Sequence, residues 1–288
     1  MIKKISYIIY LILKFFNKIF IFFFNKDFLL WFYTFIQNDS YISIIIKKKK
    51  INFFCPNHLI KFRINTLFTK EPETINWINS FKKNKNKKII FWDIGANIGL
   101  YSIYSSVFHG NKIKVISFEP SMNNLRILSR NISVNYLYKN IFINQIPLGN
   151  VNNDYCNFND SNFIEGSAFN YLYTSKKLKK KKYNNNYKVF SSSIDNIIDM
   201  KKNDFPNYIK IDVDGNENII LKGGIKLLKK SSIKEILIEI DEKDKKKTNE
   251  IIKLLTKNYF KIKSINKSKL FKSNNIYVKN YIFENINL

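Results

Sequence analysis

The chain has 288 residues, with 49 Lys and Arg against 22 Asp and Glu, a formal charge of +27 at neutral pH. That length suffices for one α/β domain of roughly 200 residues plus an extension. Its two cysteines (Cys55, Cys156) and two histidines (His58, His109) form no cluster, which argues against a zinc module, a disulfide framework, a histidine-rich metal site and a Ser-His-Asp triad.

The charge has two readings. A polyanion partner such as nucleic acid would release counterions from clustered Lys and Arg. Only Arg63, Arg126 and Arg130 are arginines, however, and Lys travels with abundant Ile, Asn and Phe, the residue set of an A+T-rich coding sequence. A dedicated phosphate reader would use more of the planar Arg fork, so compositional drift is the favoured reading. Unclustered cysteines make a reducing cytoplasm the default compartment.

Residues 1–40 form an apolar, basic extension. Tyr7 to Phe24 is interrupted by Lys14, Asn17 and Lys18. Two mid-segment lysines are costly for a spanning helix, and no small-residue cleavage site follows the apolar run. An amphipathic helix lying in the inner membrane interface and an ordinary helix packed on the domain both remain open. Residues 41–68 predict a β-hairpin, with strands near Tyr41–Ile46 and Lys50–Phe54, and His58 in a turn after Pro56-Asn57. The domain proper then runs over 69–288. A helix begins near Pro72, with Thr69 as its expected cap. Lys82 to Lys88 reads as a solvated charge run.

From Lys88 the rhythm becomes strand, turn, helix. Strands are expected at Lys88–Ile94, Lys114–Phe118, Ile141–Ile146, Tyr208–Val213 and Ile236–Ile240. Helices are expected at Gly99–Phe108, Asn123–Asn135, Asn216–Lys229 and Asn249–Lys257. Asn150 to Lys188 reads as loops and short antiparallel strands, with Lys176–Lys182 exposed. Two late strands, about Phe260–Ile265 and Ile276–Phe283, close the sheet. Short apolar strands alternating with helices predict a doubly wound, mostly parallel α/β sheet of seven strands ending in an antiparallel hairpin.

The first strand runs into Asp93-Ile94-Gly95-Ala96-Asn97-Ile98-Gly99, and the second ends at Glu119. Glycines permit a sharp turn and close ligand approach, and the next helix offers free N–H groups. A carboxylate at the tip of the second strand suits the hydroxyls of a ribose. A dinucleotide fingerprint would be Gly-x-Gly-x-x-Gly. Here Asn97 takes the middle glycine's place, and Asp93 suits the cationic amino group of S-adenosylmethionine better than a pyrophosphate. The residues therefore predict cofactor contacts from Asp93, Gly95, Asn97, Gly99 and Glu119. At the end of the fourth strand, Asp212 and Asp214 alternate by two and would share a face if the strand continued that far. Capping by Asp214 or Asn216 is the competing explanation for one of them.

The strings FTKEPETINWI, FWDIGANIGLYSIYSS, ISFEPSMNNLRILSRNI, SSSIDNI, IKIDVDGNENIILKGG and ILIEID occur in that order. Together they resemble the FkbM family of methyltransferases over roughly residues 51–245. The resemblance implies a class I methyltransferase Rossmann-like fold, S-adenosylmethionine as cofactor, and O-methylation of sugars or secondary metabolites. It also implies active-site roles for Asp212 and Glu239. Two positions depart from the pattern: Asp214 stands where the family commonly has Glu, and Asn216 where a small residue is usual. Residues 1–40 and the Lys-rich loop lie outside the match.

A hydroxyl acceptor benefits from a base as its oxygen becomes nucleophilic, and with so few histidines a carboxylate is the expected one, Asp212 first and Glu239 second. A divalent metal on Asp212, Asp214 and Glu239 is conceivable but not favoured. Lys70, Glu71, Thr74 and Asp214 are the expected substrate contacts. The expected acceptor is a small molecule or saccharide; a nucleic-acid methyltransferase or binder is the alternative that the charge suggests. His109, at a helix end, is expected to contact the helix dipole.

Overall fold

The computed structural model describes residues 1–82, 87–151, 153–160, 163–168, 170–173, 186–200, 205–267 and 277–287. Most of the expected charge run at 82–88, and all of Lys176–Lys182, lie outside them.

Helices α1 (Ile2–Phe24) and α2 (Phe28–Asp39) form a hairpin. The elbow turns at Asn25, which is left-handed (φ 52°). Asp27 caps α2 by accepting the Leu30 N–H, and the buried Asn17 Oδ1 accepts the N–H groups of Phe28 and Leu29. Three of the donors that a helix start leaves unsatisfied are thereby met. Among α1 residues only Asn17 is buried, so the helix is not packed against the domain.

Strands β1 (Tyr41–Ile46) and β2 (Lys49–Phe54) pair antiparallel across Lys47-Lys48, as expected. The region is not hairpin alone: α3 (His58–Asn65) follows, capped by Asn57, whose side chain accepts the Ile60 N–H. Pro56-Asn57 is thus a helix start rather than a turn, and His58 is the first helical residue. Ile60 and Ile64, four apart, bury the inner face. In α4 (Pro72–Asn79), Pro72 takes the first turn as expected, but Glu71 rather than Thr69 holds the N-cap position.

The main unit comprises β3 (Ile89–Ile94), α5 (Leu100–His109), β4 (Ile113–Phe118), α6 (Met122–Val134) and β5 (Ile141–Asn144), then β6 (Leu148–Gly149), β7 (Asp154–Asn159), β8 (Tyr171–Tyr173), β9 (Asn186–Ser193) and α7 (Ile194–Met200). It continues through β10 (Tyr208–Ile211), α8 (Glu217–Lys222), α9 (Ile225–Leu228), β11 (Glu235–Asp241), α10 (Lys245–Lys257), β12 (Phe260–Lys267) and β13 (Val278–Asn285). The seven-stranded sheet has the order β12-β13-β11-β10-β3-β4-β5, and β13 runs opposite to the other six strands. This is the class I methyltransferase arrangement. Both faces are covered: successive β3 residues serve opposite cores, Phe91 in one and Trp92 in the other. In a second sheet, β6-β9-β7-β8, β7 pairs antiparallel with β8 and β9, as expected of the 150–188 segment, while β9 runs on to Ser193 and pairs in parallel with β6.

The single helix expected at Asn216–Lys229 is two. The break falls at Gly223-Gly224, and a Cβ on Gly223 would lie 2.0 Å from the Gly149 carbonyl oxygen, so the approach of β6 requires glycine there. His109 also departs from expectation: its ring Nε2 lies 2.8 Å from the Ile78 carbonyl oxygen, and burial lowers its pKa.

Candidate active site

The chain leaves β3 for β4 and β5 on one side, then crosses back to β10 and β11 on the other. The carboxyl ends of β3 and β10 therefore flank the topological switch point, where open α/β sheets bind ligands. The turn after β3 is built from left-handed residues, Gly95 (φ 83°), Asn97 (φ 52°) and Gly99 (φ 85°). At Gly95 the requirement is also steric, since a Cβ would sit 1.9 Å from the Asp212 carbonyl oxygen. The Gly95 and Ala96 N–H groups both donate to the Phe118 carbonyl, which pins the turn to the end of β4.

Glu119 follows β4 and is buried. One oxygen accepts the Asn97 N–H at 2.7 Å and the other the Ser121 N–H at 2.9 Å. Burial pushes its carboxyl up to about 7 against these bonds. Gly95, Asn97 and Glu119 line a crevice with Leu148, Phe158 and Asp212, and its cavity volume is about 70 Å³. Asn97 also ties this wall to the segment before β8, its side-chain amide donating to the Ser167 carbonyl at 2.8 Å.

Asp93, expected to contact the ligand, is 1 % exposed and is not among the residues that line the crevice. Its Oδ2 accepts the Ser102 hydroxyl at 2.6 Å, so the side chain ties β3 to α5. Burial raises its pKa, opposed by the neighbouring Lys210 ammonium. Gly99 is the N-cap of α5.

A second set of polar side chains meets the crevice at Asp212. Lys210 is 1 % exposed, and its Nζ lies 2.7 Å from Asp212 Oδ2 and 4.9 Å from the centre of the Tyr101 ring. Tyr101 donates its hydroxyl to Glu71 Oε2 at 2.8 Å, and Lys70 pairs with Glu71 Oε1 at 2.7 Å. Thr74, fully buried, stands one turn along α4 with its hydroxyl 3.5 Å from Glu71 Oε2, the oxygen that Tyr101 also meets. Ile211 pairs with Ile238 across β10 and β11, which brings Asp212 beside Glu239. Glu239 in turn pairs with Asn280 on β13, whose amide donates to Glu73.

The charges divide sharply. Burial opposes ionisation of Asp212, yet Lys210 and then Lys70 hold its carboxyl below the usual range. Burial, reinforced by the charges of Asp212 and Glu71, pushes Glu239 well above it. Burial likewise opposes the Lys210 ammonium, but Asp212, Asp93 and Glu71 keep it charged well beyond neutral pH. The pKa values of two adjacent carboxyls are thus pushed in opposite directions, a pattern characteristic of acid–base sites.

The structure therefore brings Lys70, Glu71, Thr74, Asp212 and Glu239 together, and joins Asp212 to the wall formed by Gly95, Asn97 and Glu119. Asp214 also lines the crevice, but not through strand alternation: β10 ends at Ile211, and Asp214 is left-handed (φ 55°) in the following turn. Nor does a side chain of Asn216 cap α8; instead Glu217 turns back to accept the Gly215 N–H at 2.9 Å. Among the described residues, no three His, Cys, Asp or Glu side chains are disposed to hold a metal ion. Sequence reasoning missed Lys210 and Tyr101. The available signal was a lysine between Ile209 and Ile211 in a strand otherwise wholly apolar.

Residues 93–262 match the model of the methyltransferase FkbM domain. No curated protein matches the chain. Similar solved structures include methyltransferase FkbM from Methylobacillus flagellatus KT, at 17 % identity over 68 % of this chain and 43 % of that one, TM-score 0.47. Another is precorrin-6y C5,15-methyltransferase from Geobacter metallireducens GS-15, at 13 % identity over 74 % of this chain and 86 % of that one, TM-score 0.43. A third is P. horikoshii TYW2 in complex with MeSAdo, at 12 % identity over 85 % and 71 %, TM-score 0.44. The chain spans less than half the length of the Methylobacillus structure.

Proposed function

The chain belongs to the FkbM methyltransferase family, and from that premise we propose that it transfers a methyl group from S-adenosylmethionine to a hydroxyl oxygen of a saccharide. The supporting observation is the double position of Asp212, which lines the crevice with Glu119 and also bonds the buried Lys210.

The crevice residues suit the cofactor by their chemistry. Glu119 would hold the ribose hydroxyls, and Ile146, Leu148 and Phe158 would supply apolar walls for the flat adenine ring. The chemistry supplied by the bound cofactor is an electrophilic methyl group on a sulfonium. What the chain must add is alignment and a place for the acceptor's proton. Asp212, ionised and a quarter exposed, accepts the acceptor's hydroxyl hydrogen and orients the oxygen. Lys210 keeps that carboxylate charged. Glu239 beside it, its carboxyl pushed towards the protonated form by burial and by Asp212, would donate to a second oxygen when protonated. Lys70, also a quarter exposed, adds a further donor beside Glu71. This alternation of donors and acceptors fits a polyhydroxylated acceptor better than an apolar one.

Calorimetric titration with S-adenosylmethionine tests the first half, with wild type binding and Glu119→Ala losing at least tenfold in affinity. Labelled-methyl transfer to a panel of saccharides tests the second. A folded wild type that binds no cofactor would overturn the reading. Transfer to RNA or DNA in place of saccharides would overturn the acceptor class.

A further inference from the structure

At 100° per residue, the side chains of α1 separate into two faces. Lys3, Tyr7, Tyr10, Lys14, Asn17 and Lys18 fall within one polar stripe, and within it Lys14 Nζ stands 5.7 Å from the Tyr10 ring centre. The opposite face carries Ile5, Ile8, Ile9, Ile12, Phe16 and Phe23, every one of them exposed. α2 reaches only the flank between the two, through Asn17 and the Phe20–Phe28 ring contact at 5.6 Å. It adds Leu30, Trp31, Phe32 and Phe35, again exposed.

Charge identifies the occupant. Residues 1–26 hold Lys3, Lys4, Lys14, Lys18 and Lys26 and no acid. A protein partner packing on the apolar face would leave this one-signed stripe unmatched, whereas an anionic bilayer satisfies both faces at once. The apolar side enters the acyl boundary, while lysines and tyrosines stay at the phosphate level. A perpendicular span would draw Lys14, Asn17 and Lys18 into the hydrocarbon centre. The hairpin is also tied to the catalytic domain. Arg130 and Arg126 of α6 donate to the carbonyl and side-chain oxygens of Gln37 in α2, and Arg126 pairs with Glu165, next to the segment that reaches Asn97.

We propose that the α1–α2 hairpin lies in the plane of an anionic membrane surface and docks the catalytic domain there. The proposal does not depend on the reaction assigned above.

Trp31 reports on it directly, because it is 64 % exposed while Trp77 and Trp92 are 4 % and 2 % exposed. The full chain is mixed with vesicles of phosphatidylcholine, alone or with about one third phosphatidylglycerol, and followed by flotation and tryptophan emission. The expected result is flotation and a blue shift with the anionic vesicles, weakened by high salt. Phe16→Glu with Ile12→Glu should abolish both while leaving the denaturation midpoint unchanged. Lys14→Glu with Lys18→Glu should weaken binding by about 30-fold or more. Equal binding to neutral vesicles, retention by the apolar-face variant, extraction only by detergent as for a spanning helix, or self-association without vesicle binding would each overturn the proposal.

Discussion

Lys210 Nζ and Asp212 Oδ2 lie 2.7 Å apart, the lysine almost wholly enclosed and the aspartate a quarter open to the crevice. One partner is sealed in the sheet and the other faces the site, so the pair transmits a fixed charge from the core to the crevice wall. Its removal should therefore be felt in two separable ways.

Asp212→Asn removes the charge from the open end. It should lower kcat by roughly 10²–10⁴, the usual contribution of a positioned acid–base group. Cofactor affinity should stay within a few fold, because Glu119 is untouched. Single-turnover methyl transfer and calorimetry measure the two; a kcat near wild type would remove Asp212 from the proposed chemistry.

Lys210→Met acts from the buried end. It strands Asp212, and Asp93 beneath it, without their cation, at a stability cost of roughly 3 kcal/mol. The carboxyl of Asp212, now held below the usual range, should rise. Because its folded pKa is depressed, its contribution to stability is present above the unfolded value and lost as pH falls. In the variant that loss, and the acid limb of the rate profile, should both move to higher pH. A purely structural lysine would lower stability and leave the limb where it is.

Glu119 predicts the opposite sign. Its folded pKa of about 7 stands above its ordinary 4.5. Between those values the folded chain keeps a proton that the unfolded chain has released, so stability falls as pH rises towards 7. The full difference is about 3 kcal/mol, and Glu119→Gln should remove it from the wild-type-minus-variant comparison at pH 5 and pH 8. Ribose hydroxyls donate to the ionised form, so S-adenosylmethionine affinity should weaken as pH drops below 7, and the glutamine variant should lose that dependence. Denaturation curves and calorimetry at several pH values decide both points.

Gly95→Ala places a methyl group 1.9 Å from the Asp212 carbonyl oxygen on a backbone at φ 83°. Neither atom is the end of a flexible side chain, so the turn or the end of β10 must move. A stability loss of about 3 kcal/mol or more is expected, with cofactor binding lost even where the fold persists. Thermal melting with and without S-adenosylmethionine measures this; a fully retained cofactor-induced rise in midpoint would contradict it.

Much of this was legible before the coordinates. The alternation of apolar strands with helices, the glycine turn at Gly95–Gly99, Glu119 at a strand tip and the hairpin at 41–54 all follow from rules acting over a few residues: side-chain period, permitted φ and helix capping. Within the same stretches, the start of α3 was lost because Asn57 serves both turns and caps. Contacts between residues distant in the chain obeyed no such rule. Asp93 bonds Ser102 because α5 closes over β3, and position 223 must be glycine because β6 approaches it. Tyr101 reaches Glu71, thirty positions away, through the packing of α5 beside α4. The buried charge on Lys210 has meaning only beside Asp212, two residues on, and Asp93 and Glu71, which come from two other places along the chain. Local chemistry chose the elements and marked the crevice, while the dense packing between elements chose which carboxyl is pushed towards ionisation, which towards protonation and which is buried against Ser102.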